Sequence, residues 1–312
     1  MQCVNMNKKS NEPANANLIT IRDFYNFALH EFQKAQIETP ALDASVILAD
    51  FLERDRSYLL INEEKEIPEK ERNSLLKKIQ ERSMRRPVSQ ITEKKEFYGY
   101  SFFVNEDVLS PRPETEEMVE RILREDLSEN ALVLDLCSGS GCIGITLLME
   151  RPGWKCHFSD LSEKTIGVLV RNGETLVKDF STRSRIFTGN LYEPIENAFS
   201  AADSKNIHEF LYDAILSNPP YIHPDEKNDL MPELAFEPQG ALFTEDLPGI
   251  YFKILDGANK LLKNNGILIC ELSPRWAETV LEYGNQFMDG NILIDLSGLE
   301  RFVFFKKRMK KN

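Results

Sequence analysis

No apolar run in this chain approaches the ~18 residues of a membrane-spanning helix, so no membrane contact is expected. The first seventeen residues, with Lys8 and Lys9 among Asn and Pro, lack the apolar stretch of a secretory leader. Residues 1–17 are expected to form a disordered lead-in. Cysteine is scarce: Cys3, Cys137, Cys142, Cys156 and Cys270, with no C-x-x-C pair. That argues against a disulfide framework and suits buried thiols in a reducing cytoplasm. Histidine is scarcer still, and His157 beside Cys156 has no further ligand nearby, so no metal site is expected. Surplus positive charge is missing too. A net charge of −12 makes the chain a poor general binder of nucleic-acid backbone. The locally basic stretches Lys70–Lys95 and Lys306–Lys311 read as a solvated helix face and a solubilising tail.

What is present is apolar residues in quantity, 42% of 312, enough for packed cores in about two domains. From Leu18 to about Arg86 the period is helical. Thr20 with Asp23 is a helix-start signal, and Ile21, Phe24, Tyr25, Ala28 and Phe32 share a face. Thr39-Pro40 opens a second helix, with Leu42, Val46, Ala49 and Leu52 expected on its buried side. A third follows Pro68 and is expected to end at Pro87. Three or four helices with short loops make a small bundle. Between Glu96 and Leu109, Phe97, Tyr98, Gly99, Phe102, Phe103 and Val104 suggest a β-hairpin. The expected division is therefore 1–17 lead-in, 18–94 helical domain, 95–112 hairpin linker and 113–312 a larger α/β domain.

In that larger part strands and helices alternate. Strands are expected at 131–136, 155–160, 184–188, 212–217, 266–272, 291–296 and 301–305. The fold class is α/β: a Rossmann-like, seven-stranded, mostly parallel sheet. Only four residues join the last two strands, so those must pair antiparallel at one edge.

Two loops at strand ends carry the chemistry. Asp135-Leu136-Cys137-Ser138-Gly139-Ser140-Gly141 lies between the first strand and its helix. Gly139, Gly141 and Gly144 fit the dinucleotide pattern G-x-G-x-x-G, which a pyrophosphate would satisfy. Asp135 instead suits the cationic amino-acid head of S-adenosylmethionine, or else caps the helix. Asp160 ends the second strand and can accept ribose hydroxyls from either cofactor. Asn190 and Leu191, after the third strand, can flank an adenine, although Leu191 also reads as a core residue. Beyond the fourth strand comes Ser217-Asn218-Pro219-Pro220-Tyr221, where proline must stop the strand and leave Asn218 at the mouth of a cleft. Arg112 reads as a functional residue or as an inter-domain ion pair.

Together these pieces resemble the HemK/PrmC family, the protein-glutamine methyltransferases that modify class I peptide chain release factors. The resemblance runs through Arg86-Pro87, Phe97-Tyr98-Gly99, Ser110-Pro111-Arg112-Pro113-Glu114-Thr115-Glu116, Asp135 to Gly144, Asp160, Asn172, the Asn-Pro-Pro-Tyr, and Glu237-Pro238 with Ala241-Leu242 and Gly249. Departures are Cys137 for the usual first glycine, Asn190 for an acid, Leu272-Ser273-Pro274-Arg275 after Glu271, and a longer excursion at 194–210. The resemblance implies a cytoplasmic, monomeric class I methyltransferase fold with S-adenosylmethionine held by Asp135, Cys137, Ser138, Gly139, Ser140, Gly141, Asp160, Asn190, Leu191 and Asn218. It implies catalysis by Asn218, Pro219 and Tyr221 on a release factor gripped by the helical domain. Substrate contacts would come from Asn218, Pro219, Pro220, Tyr221 and Arg112. The alternatives are an adenine amino-methyltransferase acting on nucleic acid, an NAD-dependent oxidoreductase, and a non-catalytic binding module.

Overall fold

The computed structural model describes residues 18–201 and 211–309. The expected lead-in at 1–17 and residues 202–210 of the excursion lie outside the described residues, as does Cys3. Internal contacts divide the chain into two compact units, one ending at Thr92 and one beginning at Glu93.

The first unit holds α1 (Ile21–Lys34), α2 (Pro40–Phe51), α3 (Arg56–Ile61), α4 (Glu69–Ser83) and α5 (Val88–Thr92). A reciprocal capping box starts α1: Thr20 Oγ1 accepts the Asp23 N–H at 3.2 Å and Asp23 Oδ2 accepts the Thr20 N–H at 2.9 Å. Ile21, Phe24, Ala28 and Phe32 then line the core as their spacing requires. The buried face of α2 differs from the expected one. Asp43, Ala44, Ile47, Leu48 and Ala49 point inward, while Leu42 is 46% exposed. The reason is electrostatic: Asp43 Oδ2 accepts from Arg82 Nε on α4 at 2.7 Å, and this buried pair fixes the helix rotation. Pro87 does not end α4 either. That helix stops at Ser83, Arg85 takes a positive φ of 74°, and Pro87 leads into α5, its carbonyl accepting from Gln90 and Ile91.

The second unit opens with a hairpin, β1 (Lys94–Phe97) and β2 (Tyr100–Phe103), paired antiparallel. Tyr98 and Gly99 both carry positive φ, 53° and 79°, the backbone of a two-residue I′ turn. There follow α6 (Pro113–Leu123), β3 (Leu132–Leu136), α7 (Cys142–Glu150), β4 (Lys155–Asp160), α8 (Glu163–Leu176), α9 (Phe180–Arg183), β5 (Ser184–Thr188), α10 (Glu193–Ala201) and β6 (Tyr212–Ser217). Then come α11 (Gln239–Leu242), α12 (Gly249–Leu261), β7 (Leu262–Glu271), α13 (Ala277–Gly284), β8 (Met288–Ile294) and β9 (Glu300–Lys307).

The seven strands β3–β9 form one sheet in the order β5-β4-β3-β6-β7-β9-β8. The strands from β5 across to β7 pair in parallel. The last two strands pair antiparallel, and β9 sits between β7 and the edge strand β8. Side chains alternate between two cores. Val133, Ala214, Leu216, Ile267 and Ile269 enter one, and Leu134, Leu136, Ile215, Leu268 and Cys270 the other. Helix α7 lies close on β4 because Gly144 has no side chain. A Cβ there would meet Phe158 and come within 2.6 Å of Cys156 Sγ. Gly144→Ala is expected to lower stability by about 1–3 kcal/mol through overpacking, read as a lower urea midpoint.

Chain direction across the sheet reverses between β3 and β6. From β3 the chain runs outward to β4 and β5, then returns to β6 and continues to β7. At such a reversal the loops beyond the carboxyl ends part and leave a crevice. Leu136 and Ser217, the last residues of β3 and β6, stand level in register, and Ser217 Oγ donates to the Leu136 carbonyl at 2.8 Å. The two chemistry-bearing loops therefore leave the sheet side by side.

Candidate active site

A cavity of about 660 Å³ opens at this reversal, within the usual size range of small-molecule sites. Its walls include Cys137, Ser138, Gly139 and Ser140 after β3, Asp160 after β4, Asn190 and Leu191 after β5, and Asn218 and Pro220 after β6. The opposite wall is the loop carrying Pro238, Gly240, Ala241 and Phe243.

The turn after β3 is built to approach a ligand. Cys137, Gly139 and Gly141 all have positive φ, 60°, 53° and 80°. Glycine would adopt this backbone freely at the first of them, and Cys137 is strained there. A Cβ on Gly139 would meet nothing within 4 Å, so backbone there faces open space. Asp160 braces the turn: its Oδ2 accepts the Gly139 N–H at 2.9 Å and its Oδ1 accepts the Ser162 N–H at 3.1 Å. With the Leu161 N–H as a third donor, the carboxylate still has acceptor capacity to spare. Burial pushes the Asp160 carboxyl above its ordinary range, partly offset by those N–H groups.

Several expected site residues stand back from the cavity. Asp135 is fully buried, and its Oδ2 accepts the Gly144 N–H in the first turn of α7 at 2.9 Å. It is the helix-capping acid, and burial pushes its carboxyl up to about 8. Gly141, Pro219, Tyr221 and Arg112 do not line the cavity either. Gly141 sits at the helix entrance. Arg112 pairs with Glu237 within the second unit and so anchors the loop of the opposite wall. A second tie joins that loop to the strand end: Ile222 N–H donates to the Leu242 carbonyl at 3.1 Å and Thr244 N–H to the Ile222 carbonyl at 3.0 Å. Asn190 is exposed at the cavity rim, where its amide donates to Glu193 Oε1 at 3.2 Å. Leu191, at φ 47°, lines the cavity and also packs on the second core.

Asn218 carries the most informative geometry. Its Nδ2 donates to Thr115 Oγ1 at 3.2 Å, while its Oδ1 is buried and has no partner. A buried carbonyl oxygen without a donor is costly unless a ligand supplies one. Thr115 in turn donates to Glu271 Oε2 at 2.8 Å, and the Tyr221 hydroxyl donates to Glu271 Oε1 at 3.3 Å. Thr115 and Glu271 were not singled out by sequence reasoning as site residues. The available signals were the place of Thr115 inside Pro-Arg-Pro-Glu-Thr-Glu and an acid ending the strand beside β6.

Comparison with known proteins gives the family. Residues 23–92 match the family model described as PrmC N-terminal domain, and residues 115–245 match the one described as Methyltransferase small domain. A release factor glutamine methyltransferase from Leptospira interrogans is 35% identical over 281 residues, covering 88% of this chain and 94% of that protein. A protein of the same description from Fusobacterium nucleatum is 33% identical, covering 92% and 79%. A bifunctional methyltransferase from Rickettsia bellii is 30% identical over 88% of this chain, which spans only 52% of that longer protein.

Proposed function

This chain belongs to the release factor glutamine methyltransferase family, and from that premise we propose that it methylates the side-chain nitrogen of a glutamine. The glutamine is that of the Gly-Gly-Gln loop in a class I peptide chain release factor, and the methyl donor is S-adenosylmethionine. The helical unit through Thr92 grips the release factor outside that loop. The protein works as a monomer in the cytoplasm. Among the described residues no helix is long and apolar enough to cross a membrane.

The residues present suit this donor. Open backbone at Gly139 and spare acceptor capacity on Asp160 face the cavity. Ser138, Gly139 and Ser140 would hold the amino-acid part, Asp160 the ribose hydroxyls, and Leu191 with Asn190 the adenine. When bound, S-adenosylmethionine supplies an electrophilic methyl group on a sulfonium centre.

The remaining work belongs to the chain. An amide nitrogen is a poor nucleophile because its lone pair is delocalised into the carbonyl. Asn218 Oδ1 accepts one N–H of the substrate amide and the Pro219 carbonyl accepts the other. Held by both, the nitrogen would be turned so that its lone pair faces the methyl, a positioning effect, and its surplus N–H proton would leave after the methyl is gained. The same two oxygens stabilise positive charge as it develops on the nitrogen, without reorganising. Pro219 and Pro220 keep the backbone from relaxing away. Tyr221, tied to Glu271, fixes the corner from behind.

The observation that carries this reading is the buried, unpartnered Asn218 Oδ1 at the cavity wall. Incubating the protein with methyl-labelled S-adenosylmethionine and a release factor should label the loop glutamine. A Gln→Ala release factor should stay unlabelled, and equal labelling of both would sink the reading. Asp160→Ala is expected to weaken S-adenosylmethionine binding by about 1.5–3 kcal/mol, roughly 10- to 150-fold. Calorimetry showing unchanged affinity would remove Asp160 from the donor site.

A further inference from the structure

The side-chain carboxamide of Asn218 is nearly symmetric in shape. Turning it by half a rotation exchanges oxygen and nitrogen with little change in packing. Yet the two orientations are opposite in chemistry: one presents an acceptor to the cavity, the other presents two donors that repel a substrate N–H. Something must choose between them, and the prolines that fix the backbone cannot.

We propose that Glu271 makes this choice, acting through Thr115 as a relay, so that both are positioning residues for the reaction. The proposal rests on the reading of Asn218 as the acceptor of the substrate amide. Glu271 is 1% exposed, and Thr115, part of the cavity wall, is 2% exposed, so both bond largely within the protein. An ionised carboxylate can only accept. It takes the Thr115 hydroxyl proton at 2.8 Å, and that commits the hydroxyl's remaining capacity to accepting. Thr115 Oγ1 then accepts from Asn218 Nδ2 at 3.2 Å, and Oδ1 is left without a partner. The other carboxylate oxygen takes the Tyr221 hydroxyl at 3.3 Å, so Glu271 also holds the tyrosine.

Protonation would invert the relay. A neutral Glu271 can donate to Thr115 Oγ1. The threonine proton is then free to bond the Asn218 carbonyl, which turns the NH₂ group into the cavity. The groups facing Glu271 come from several elements. Burial pushes its carboxyl up to about 7, and Glu114 on α6 adds to this, while Thr115, Arg301 on β9 and Tyr221 pull it down. Cys142 on α7, Cys270 on β7 and Tyr251 on α12 are pushed up mainly by burial, with the Glu271 charge a smaller addition. The sign follows: kcat is retained while Glu271 is ionised and falls as pH drops through its titration.

The test uses the full chain with a release factor as substrate. Thr115→Val is expected to lower kcat roughly tenfold or more, the worth of a hydrogen bond to a charged group, with S-adenosylmethionine affinity by calorimetry held within about twofold. Thr115→Ser, which keeps the hydroxyl, should recover most of the loss. Glu271→Gln should lower kcat and flatten the acid limb of its pH profile. Adding Glu271→Gln to Thr115→Val should cost nothing more, because one relay is cut twice. Without substrate or cofactor, carbon-detected NMR should place the Glu271 titration higher in Thr115→Val than in the parent. Full kcat in Thr115→Val, additive losses in the double variant, or an unmoved titration would overturn the inference. If the parent labels no glutamine, or Asn218→Ala keeps full kcat, it is the proposed function that fails. If those hold and Thr115→Val alone is silent, only the relay fails.

Discussion

Asn218→Ala is expected to reduce kcat by a factor on the order of 10²–10³, the loss seen when one preorganised partner of developing charge is removed. The argument is differential. In the ground state a substrate amide can find other acceptors, so KM should move much less than kcat. In the transition state the nitrogen gains positive charge, and only an oxygen already in place stabilises it without reorganisation. Asn218 Oδ1 is such an oxygen: buried, unpartnered, and held by Thr115 through the amide nitrogen. Single-turnover methylation with saturating S-adenosylmethionine isolates the step. A variant slowed less than about threefold would mean that Asn218 does not face the acceptor.

Asp43→Ala should destabilise the helical unit by about 3–5 kcal/mol, because it removes the carboxylate that balances the buried Arg82 charge, the Arg86 carbonyl being a weaker partner. Asp43 accepts from Arg82 Nε at 2.7 Å and from the Thr39 hydroxyl at 2.8 Å, so its removal also loosens the start of α2. Hydrogen exchange should locate the loss in α1, α2 and α4, which share one core with Phe24, Ile47 and Leu75. Replacing both partners, Asp43→Leu with Arg82→Met, should recover most of the stability, since the desolvation cost disappears along with the pair. An unshifted urea midpoint in the single variant, or a double variant no better than the single, would contradict this account.

Strand limits were legible at β4, β5 and β6, where a short apolar run gives way to polar, Gly or Pro residues. Lys155–Asp160, Ser184–Thr188 and Tyr212–Ser217 stand at their expected limits. Legibility failed where charge overruled pattern. Apolar spacing puts Leu42 inside α2, but a buried ion pair 39 residues apart turns it outward. Asp135 reads both as a contact to the methyl donor and as a helix cap: one of its oxygens accepts the Gly144 N–H, and the other is buried without a partner. Thr115 and Glu271 lie 156 residues apart, and only the fold of the sheet brings them to Asn218. No local pattern encodes a contact of that separation.

The reversal between β3 and β6 has a consequence for how such a catalyst diversifies. On the proposed reading, loops from β3, β4 and β5 would face the methyl donor and those from β6 and β7 the acceptor, on either side of the Leu136–Ser217 seam. Mutation on the far side of that seam can retune which nitrogen is modified while the donor half stays as it is. The architecture thus makes substrate choice an independently inheritable trait.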